Sequence, residues 1–287
     1  MPRLPGTPDL QSDGSYLFAG GGLELVVDPR QGAQVRSFSL DGKNALASAE
    51  LSPEGATAFG AGNDLAAATP KTPRIDDKPY AAEVEGSSLL LTREPPGLGL
   101  KLLQRYRLDT ARRSVEIEYT WINSSDKPQK YAPWELCRVP ATGGLSFYPS
   151  AQKPYPQSTL KLNAGSPITW FVHDQNREQK PLQSLADGAE GWLANVNGGL
   201  LLVKTFGDTP EAAHAPGEGE IELYADYDAV TKQHRYVQLA EQGPYAEVAA
   251  GGSVAWSVRW FLRRLPPPLL VKAGNPELIG YVRGVIQ

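Results

Sequence analysis

Apolar and polar residues alternate with a period of two along most of this chain. That pattern commits it to β-strands with one buried face and one wetter face. Leu23, Leu25 and Val27 alternate with Glu24 and Val26 before the turn Asp28-Pro29-Arg30-Gln31-Gly32. Val35 to Leu40 returns and ends at Asp41-Gly42, a strong hairpin signal. Val115, Ile117, Tyr119 and Trp121 repeat the alternation, as do Val254, Val258, Trp260 and Leu262. Roughly fifteen segments read as strands, at the turn spacing of a sandwich. Helix is confined to the C-terminus, where Asn275 suits an N-cap, Pro276 the first turn, and Leu278, Ile279, Val282, Val285 and Ile286 form a stripe. A helix this short needs a surface to dock on.

Composition narrows the class. The 287 residues are 41 % hydrophobic, enough to bury a core. Apolar runs such as Leu200–Val203 fall far short of the ~18–20 residues of a membrane helix, so no membrane span is expected. A net charge of −4 without a Lys/Arg cluster argues against nucleic acid. One cysteine makes neither an internal disulfide nor a cysteine zinc site. The three histidines lack metal-ligand spacing, and no metal or cofactor is expected. Asp226-Tyr227-Asp228 reads as a solvated turn ahead of a calcium site. Gly60-x-Gly62 does not open a helix after a strand, and Gly251-Gly252-Ser253 lacks the second glycine of a nucleophile elbow.

The expected organisation is a flexible segment over 1–14, one sandwich domain over 15–265, and a Pro-rich connection with the helix over 266–287. Ser52–Pro79 and Ser150–Ala189 read as long loops of the functional or mobile kind. No secretory signal is visible in the Pro-rich Met1–Gln11. The compartment leans to periplasmic or secreted if a leader was trimmed, and is otherwise cytoplasmic.

Three segments stand out chemically. On Tyr131–Arg138, alternation puts Trp134, Leu136 and Arg138 on one face and Glu135 and Cys137 on the other. Glu135 and Arg138 therefore share a site only across a bulge. On Tyr236–Tyr245, Tyr236 and Gln238 share a face, Val237 and Leu239 look core-directed, and Glu241 takes the core side or the strand end. In the hairpin Gly191–Lys204, turned at Asn197-Gly198, Lys204 ends an apolar strand, where surface snorkelling is the ordinary reading.

Together these segments resemble the aldose 1-epimerase (galactose mutarotase) superfamily, through an uncharacterised bacterial branch. Gly22 to Leu46 looks like its opening hairpin, and Tyr236 to Leu262 like its closing strands. Trp121-Ile-Asn123, Ala132-Pro133-Trp134, Gly143-Gly144 and the Gly191-Trp192 hairpin echo the branch in order. The resemblance implies an all-β supersandwich of two large twisted, mainly antiparallel sheets with a short C-terminal helix. It also implies a mono- or oligosaccharide ligand, a carboxylate that takes the anomeric proton and a histidine that protonates the ring oxygen. The carboxylate position falls on Gln238, which cannot act as a base, and Glu241 lies three residues on. The expected catalytic set is then Glu135, Glu241 and His173. Trp134, Arg138, Arg74, Lys204, Gln238 and Tyr236 are the expected binding groups. The alternatives are a non-catalytic sugar-binding or scaffold protein, or a polysaccharide hydrolase or lyase. Oligomeric state is left open.

Overall fold

The computed structural model describes residues 5–62, 78–151, 155, 158–160, 167–174, 176 and 180–287. Among them are twenty strands, paired antiparallel throughout, and one α-helix. They form a nine-stranded sheet, a six-stranded sheet and a five-stranded sheet at the N-terminal end.

The nine-stranded sheet is built around Ser114–Asn123, which pairs with Leu100–Asp109 on one side and Ser253–Arg264 on the other. The hairpin Trp192–Asn197 and Leu200–Phe206 continues it beyond Ser253–Arg264. Its two-residue turn, Gly198-Gly199, has both residues at positive φ, as the tight hairpin turn demands. Asp41-Gly42 makes the same kind of turn between Leu40 and Lys43.

The six-stranded sheet is built on Gln129–Pro140. Tyr236–Gln242 lies along one edge of that strand, followed by Ile221–Ala225 and Leu182–Ala186. Ala246–Val248 continues along that edge after the Gly243 N–H bonds the Pro133 carbonyl, and Thr57–Gly62 takes the other edge. The sequence reads Thr57–Gly62 as part of a loop, because Gly and Ala disfavour strands. Pairing with Ala132–Cys137 overrides that local preference. The strands Ile168–Val172 and Leu182–Ala186 likewise interrupt the second long loop. Inside the N-terminal stretch, Asp9 and Leu10 pair with Leu17 and Tyr16.

One core joins all three sheets. Phe18, Leu25 and Phe38 of the N-terminal sheet meet Ile117, Trp121 and Trp260 of the nine-stranded sheet, with Cys137, Val139, Leu223 and Leu239 of the six-stranded one. A second cluster covers the other side of the nine-stranded sheet. There Phe147, Trp192, Ala194 and Phe261 receive Leu278 and Val282 of the helix Pro276–Ile286. Asn275 caps that helix, its side chain accepting from the Glu277 N–H at 3.0 Å. No helix among the described residues is long and apolar enough to cross a membrane.

Candidate functional site

The strand Gln129–Pro140 distributes the chemistry of this protein between two faces. Its register with Tyr236–Gln242 runs unbroken from Trp134↔Gln242 to Pro140↔Tyr236, so the alternation is never reset by a bulge. Glu135 and Glu241 are direct partners and share the inward face with Cys137, Val139, Val237 and Leu239. Trp134 and Arg138 lie on the outward face, opposite Gln242 and Gln238.

The inward face holds a sealed charge cluster. Glu135 and Glu241 are each 1 % exposed and Lys204 is fully buried. Lys204 comes from the opposing nine-stranded sheet, at the parity of Leu200 and Leu202. Its Nζ lies 3.0 Å from Glu135 Oε1 and 2.6 Å from Glu241 Oε1. It also donates to the Leu239 carbonyl at 3.4 Å and sits 5.2 Å from the centre of the Trp260 ring. Trp260 Nε1 donates to Glu135 Oε1 at 2.8 Å, and the Tyr119 hydroxyl donates to Glu135 Oε2. Burial pushes the Glu135 carboxyl up, but Lys204 and the hydrogen bonds from Glu241, Tyr119 and Trp260 outweigh it and hold it below its usual value. Burial and the neighbouring Glu135 charge outweigh Lys204 at Glu241 and drive that carboxyl well above its usual value. Burial lowers the Lys204 ammonium, but the two glutamates overcome it and raise the group.

Three expectations are corrected here. The two glutamates do converge, as the catalytic reading requires, but inside the core, where no sugar can reach them. Lys204 does not snorkel: its parity with Leu200 and Leu202 sends it into the sandwich. His173 does not join the pair. Its Nε2 is 2.8 Å from Ser146 Oγ and its Nδ1 3.3 Å from the Pro140 carbonyl. Pro140 lies five residues along the strand from Glu135, roughly 17 Å away at the rise of an extended chain. Arg74 lies outside the described residues.

The outward face carries four of the expected binding residues together: Trp134, Arg138, Tyr236 and Gln238. Arg138 is 4 % exposed, donates from Nη1 to the Gly55 carbonyl at 2.6 Å, and lies 5.3 Å over the Tyr236 ring. The Tyr236 hydroxyl donates to Glu54 Oε1. Burial pushes Glu54 up, but the bond from Tyr236 and the charges of Arg138 and Arg235 prevail and hold it low. The neighbouring strand adds Tyr224, opposite Gln238, and Glu222, opposite Ala240. Glu222 Oε1 accepts from Gln183 Nε2 at 2.8 Å. Burial raises the Glu222 carboxyl despite that bond. Glu218, bonded by the Gln242 amide, is raised first by burial and further by the charge of Glu222.

Two buried polar atoms on this face have no hydrogen-bond partner: Arg138 Nε, a donor, and Gln242 Oε1, an acceptor. The sequence reading passed over Glu222, Tyr224 and Gln242. Their signal was present in Ile221-Glu-Leu-Tyr-Ala225, where Glu222 and Tyr224 take the face opposite Ile221 and Leu223.

The remaining histidines occupy separate surroundings. His214 contacts the Thr209 carbonyl, Asp187 and the Tyr155 hydroxyl, whereas His234 packs 5.6 Å from the Tyr227 ring. Among the described residues no three metal-ligating side chains form a group able to hold an ion.

The architecture is that of the galactose mutarotase-like proteins. A galactose mutarotase-like protein from Lactobacillus casei superposes with a TM-score of 0.64 at 12 % identity, over 87 % of this chain and 100 % of that one. A galactose mutarotase related enzyme from Lactobacillus acidophilus gives 0.65 at 9 % identity, over 90 % and 100 %. A galactose mutarotase-like protein from Clostridium acetobutylicum gives 0.59 at 10 % identity, over 90 % and 98 %. At these identities the likeness is one of fold. No curated protein matches the sequence. The family model described as "Domain of unknown function (DUF4380)" matches residues 70–263, and the chain belongs to that family.

Proposed function

We propose that this protein binds a mono- or oligosaccharide on the outward face of the six-stranded sheet and acts at its anomeric centre. The unpartnered pair Arg138 Nε and Gln242 Oε1 carries the reading. A buried donor and a buried acceptor left open on one face are costly unless a ligand supplies both partners. Four residues of strand, roughly 13 Å, separate them, a span that the hydroxyls of an oligosaccharide cover and those of one ring do not. Trp134, half-buried on the same face, offers an aromatic surface to a sugar ring. The galactose mutarotase-like fold supports the same ligand class.

Glu222 is the group on this face suited to move the anomeric proton. Gln183 orients it, and burial brings its carboxyl toward the working pH of a general base. A binding protein without turnover is the second reading, favoured by Gln238 at the position the resemblance gives to the carboxylate.

Proton exchange spectroscopy on a panel of reducing sugars separates the two. Enhanced exchange between anomers supports catalysis, and broadening without exchange supports binding alone. Neither effect at millimolar sugar overturns the carbohydrate reading.

A further inference from the structure

Lys204 presents a primary amine to two carboxyl groups inside a sealed core. Its Nζ touches Glu241 Oε1 at 2.6 Å, and Glu241 in turn faces Glu135 across the strand pair. That contact sets the amine against the Glu241 carboxyl group from the facing sheet. Glu135 lies 3.0 Å from the same nitrogen, with Trp260 and Tyr119 fixing its two oxygens. In water an amine and a carboxylic acid do not condense, because both ionise and the solvent is the product. Burial of all three side chains weakens both obstacles, and fixed juxtaposition replaces a bimolecular encounter.

We propose that Lys204 and Glu241 condense into an intramolecular amide, with Glu135 moving the protons, so that a covalent bond joins the nine-stranded sheet to the six-stranded sheet. The Lys204 ammonium passes one proton to the Glu135 carboxylate. The freed lone pair on Nζ attacks Cδ of the neutral Glu241 carboxyl, and the carbonyl electron pair moves onto oxygen. A second proton then travels from the nitrogen, by way of Glu135, to the departing hydroxyl. The carbon–oxygen bond breaks, the carbonyl reforms and one water leaves. The products are the Nζ–Cδ amide, water and a neutral Glu135. No oxidant or cofactor is consumed.

The driving force follows from burial. Before condensation the core holds one cation and one anion withdrawn from water, a costly arrangement even when paired. Afterwards it holds none. The bond also ties two distant parts of the chain and so restricts the unfolded state, as a disulfide does.

Intact-mass spectrometry of the denatured full chain tests this directly, beside Lys204→Met and Glu135→Gln chains. The natural chain should weigh one water, about 18 Da, less than its sequence, and both variants should carry their full masses. A proteolytic digest should yield a branched peptide joining the Lys204 and Glu241 segments. A natural chain at full mass overturns the proposal, as does a lost water that the digest places elsewhere. A Glu135→Gln chain that still loses the water overturns the role of Glu135. Should the variants fail to fold, the digest of the natural chain decides alone.

Discussion

Glu241 stands directly opposite Glu135 on the adjacent antiparallel strand, and Lys204 closes on both from the facing sheet. Two carboxyls side by side in a core cannot both ionise, so one proton stays with the pair. Burial and the Glu135 charge place that proton on Glu241. Before any condensation, one ammonium, one carboxylate and one neutral acid leave the cluster without net charge, which is what makes it tolerable at the centre of a sandwich.

Lys204→Met should therefore be strongly destabilising. It leaves Glu135 without its cation while Trp260 and Tyr119 still hold it in place. Removing one member of a buried ionic group costs roughly 3–5 kcal/mol. Denaturant titration should show this loss, and adding Glu135→Gln to the same chain should recover part of it. A single variant as stable as the natural chain would show that the cluster is not closed to water.

Trp134→Ala tests the outward face. Trp134 is half-buried and belongs to neither hydrophobic core, so the fold should survive its loss. A ring stacked on a sugar contributes roughly 1 kcal/mol, which predicts a several-fold to ten-fold weaker sugar affinity. Titration followed by ligand line broadening reads this directly. Unchanged affinity would move the sugar away from Trp134.

Glu222→Gln should keep sugar binding and abolish anomer exchange, since the amide keeps the shape and the Gln183 contact but takes up no proton. The natural protein should also show a pH signature. A base works in its ionised form, so exchange should rise with pH as Glu222 loses its proton. Burial raises that carboxyl, so the rise should fall above the ordinary carboxylate range. Exchange that persists in Glu222→Gln assigns the proton to another group.

Much of this was legible in the residues, and the physical reason is parity. Alternation along Gln129–Pro140 separates Glu135 from Arg138, and the absence of a bulge in the structure keeps them apart. The hairpin turn at Asp41-Gly42 and the capped C-terminal helix follow equally local chemistry. The fate of Lys204 was less legible. A lysine ending an apolar strand ordinarily reaches for water, and what holds this one inside lies on two strands of another sheet. Even so, Glu135, Lys204 and Glu241 all stand at core parity, a coincidence of charges that could have been read as one cluster. Glu222 stands on an alternating strand, opposite in face to Ile221 and Leu223, but nothing local marks it off from an ordinary surface glutamate. Thr57–Gly62 was hidden for another reason: its pairing partner, and not its own composition, makes it a strand.

A last prediction concerns Glu220, a carboxyl 1 % exposed just ahead of the strand Ile221–Ala225. Its Oε1 accepts from the Thr209 backbone N–H, and the Gly188 backbone also bonds the carboxyl. Burial, with the charges of Asp208 and Asp187, pushes it from 4.5 up to about 7. A carboxyl raised in the folded state favours folding while protonated, so its contribution is complete below about pH 4.5 and is lost as pH rises through 7. Glu220→Gln keeps a neutral side chain at every pH. The variant should therefore gain on the natural chain between pH 4 and pH 8, by on the order of 3 kcal/mol. Denaturant midpoints of both chains across that range read the gap. A gap that stays constant with pH would mean that Glu220 titrates as an ordinary carboxylate.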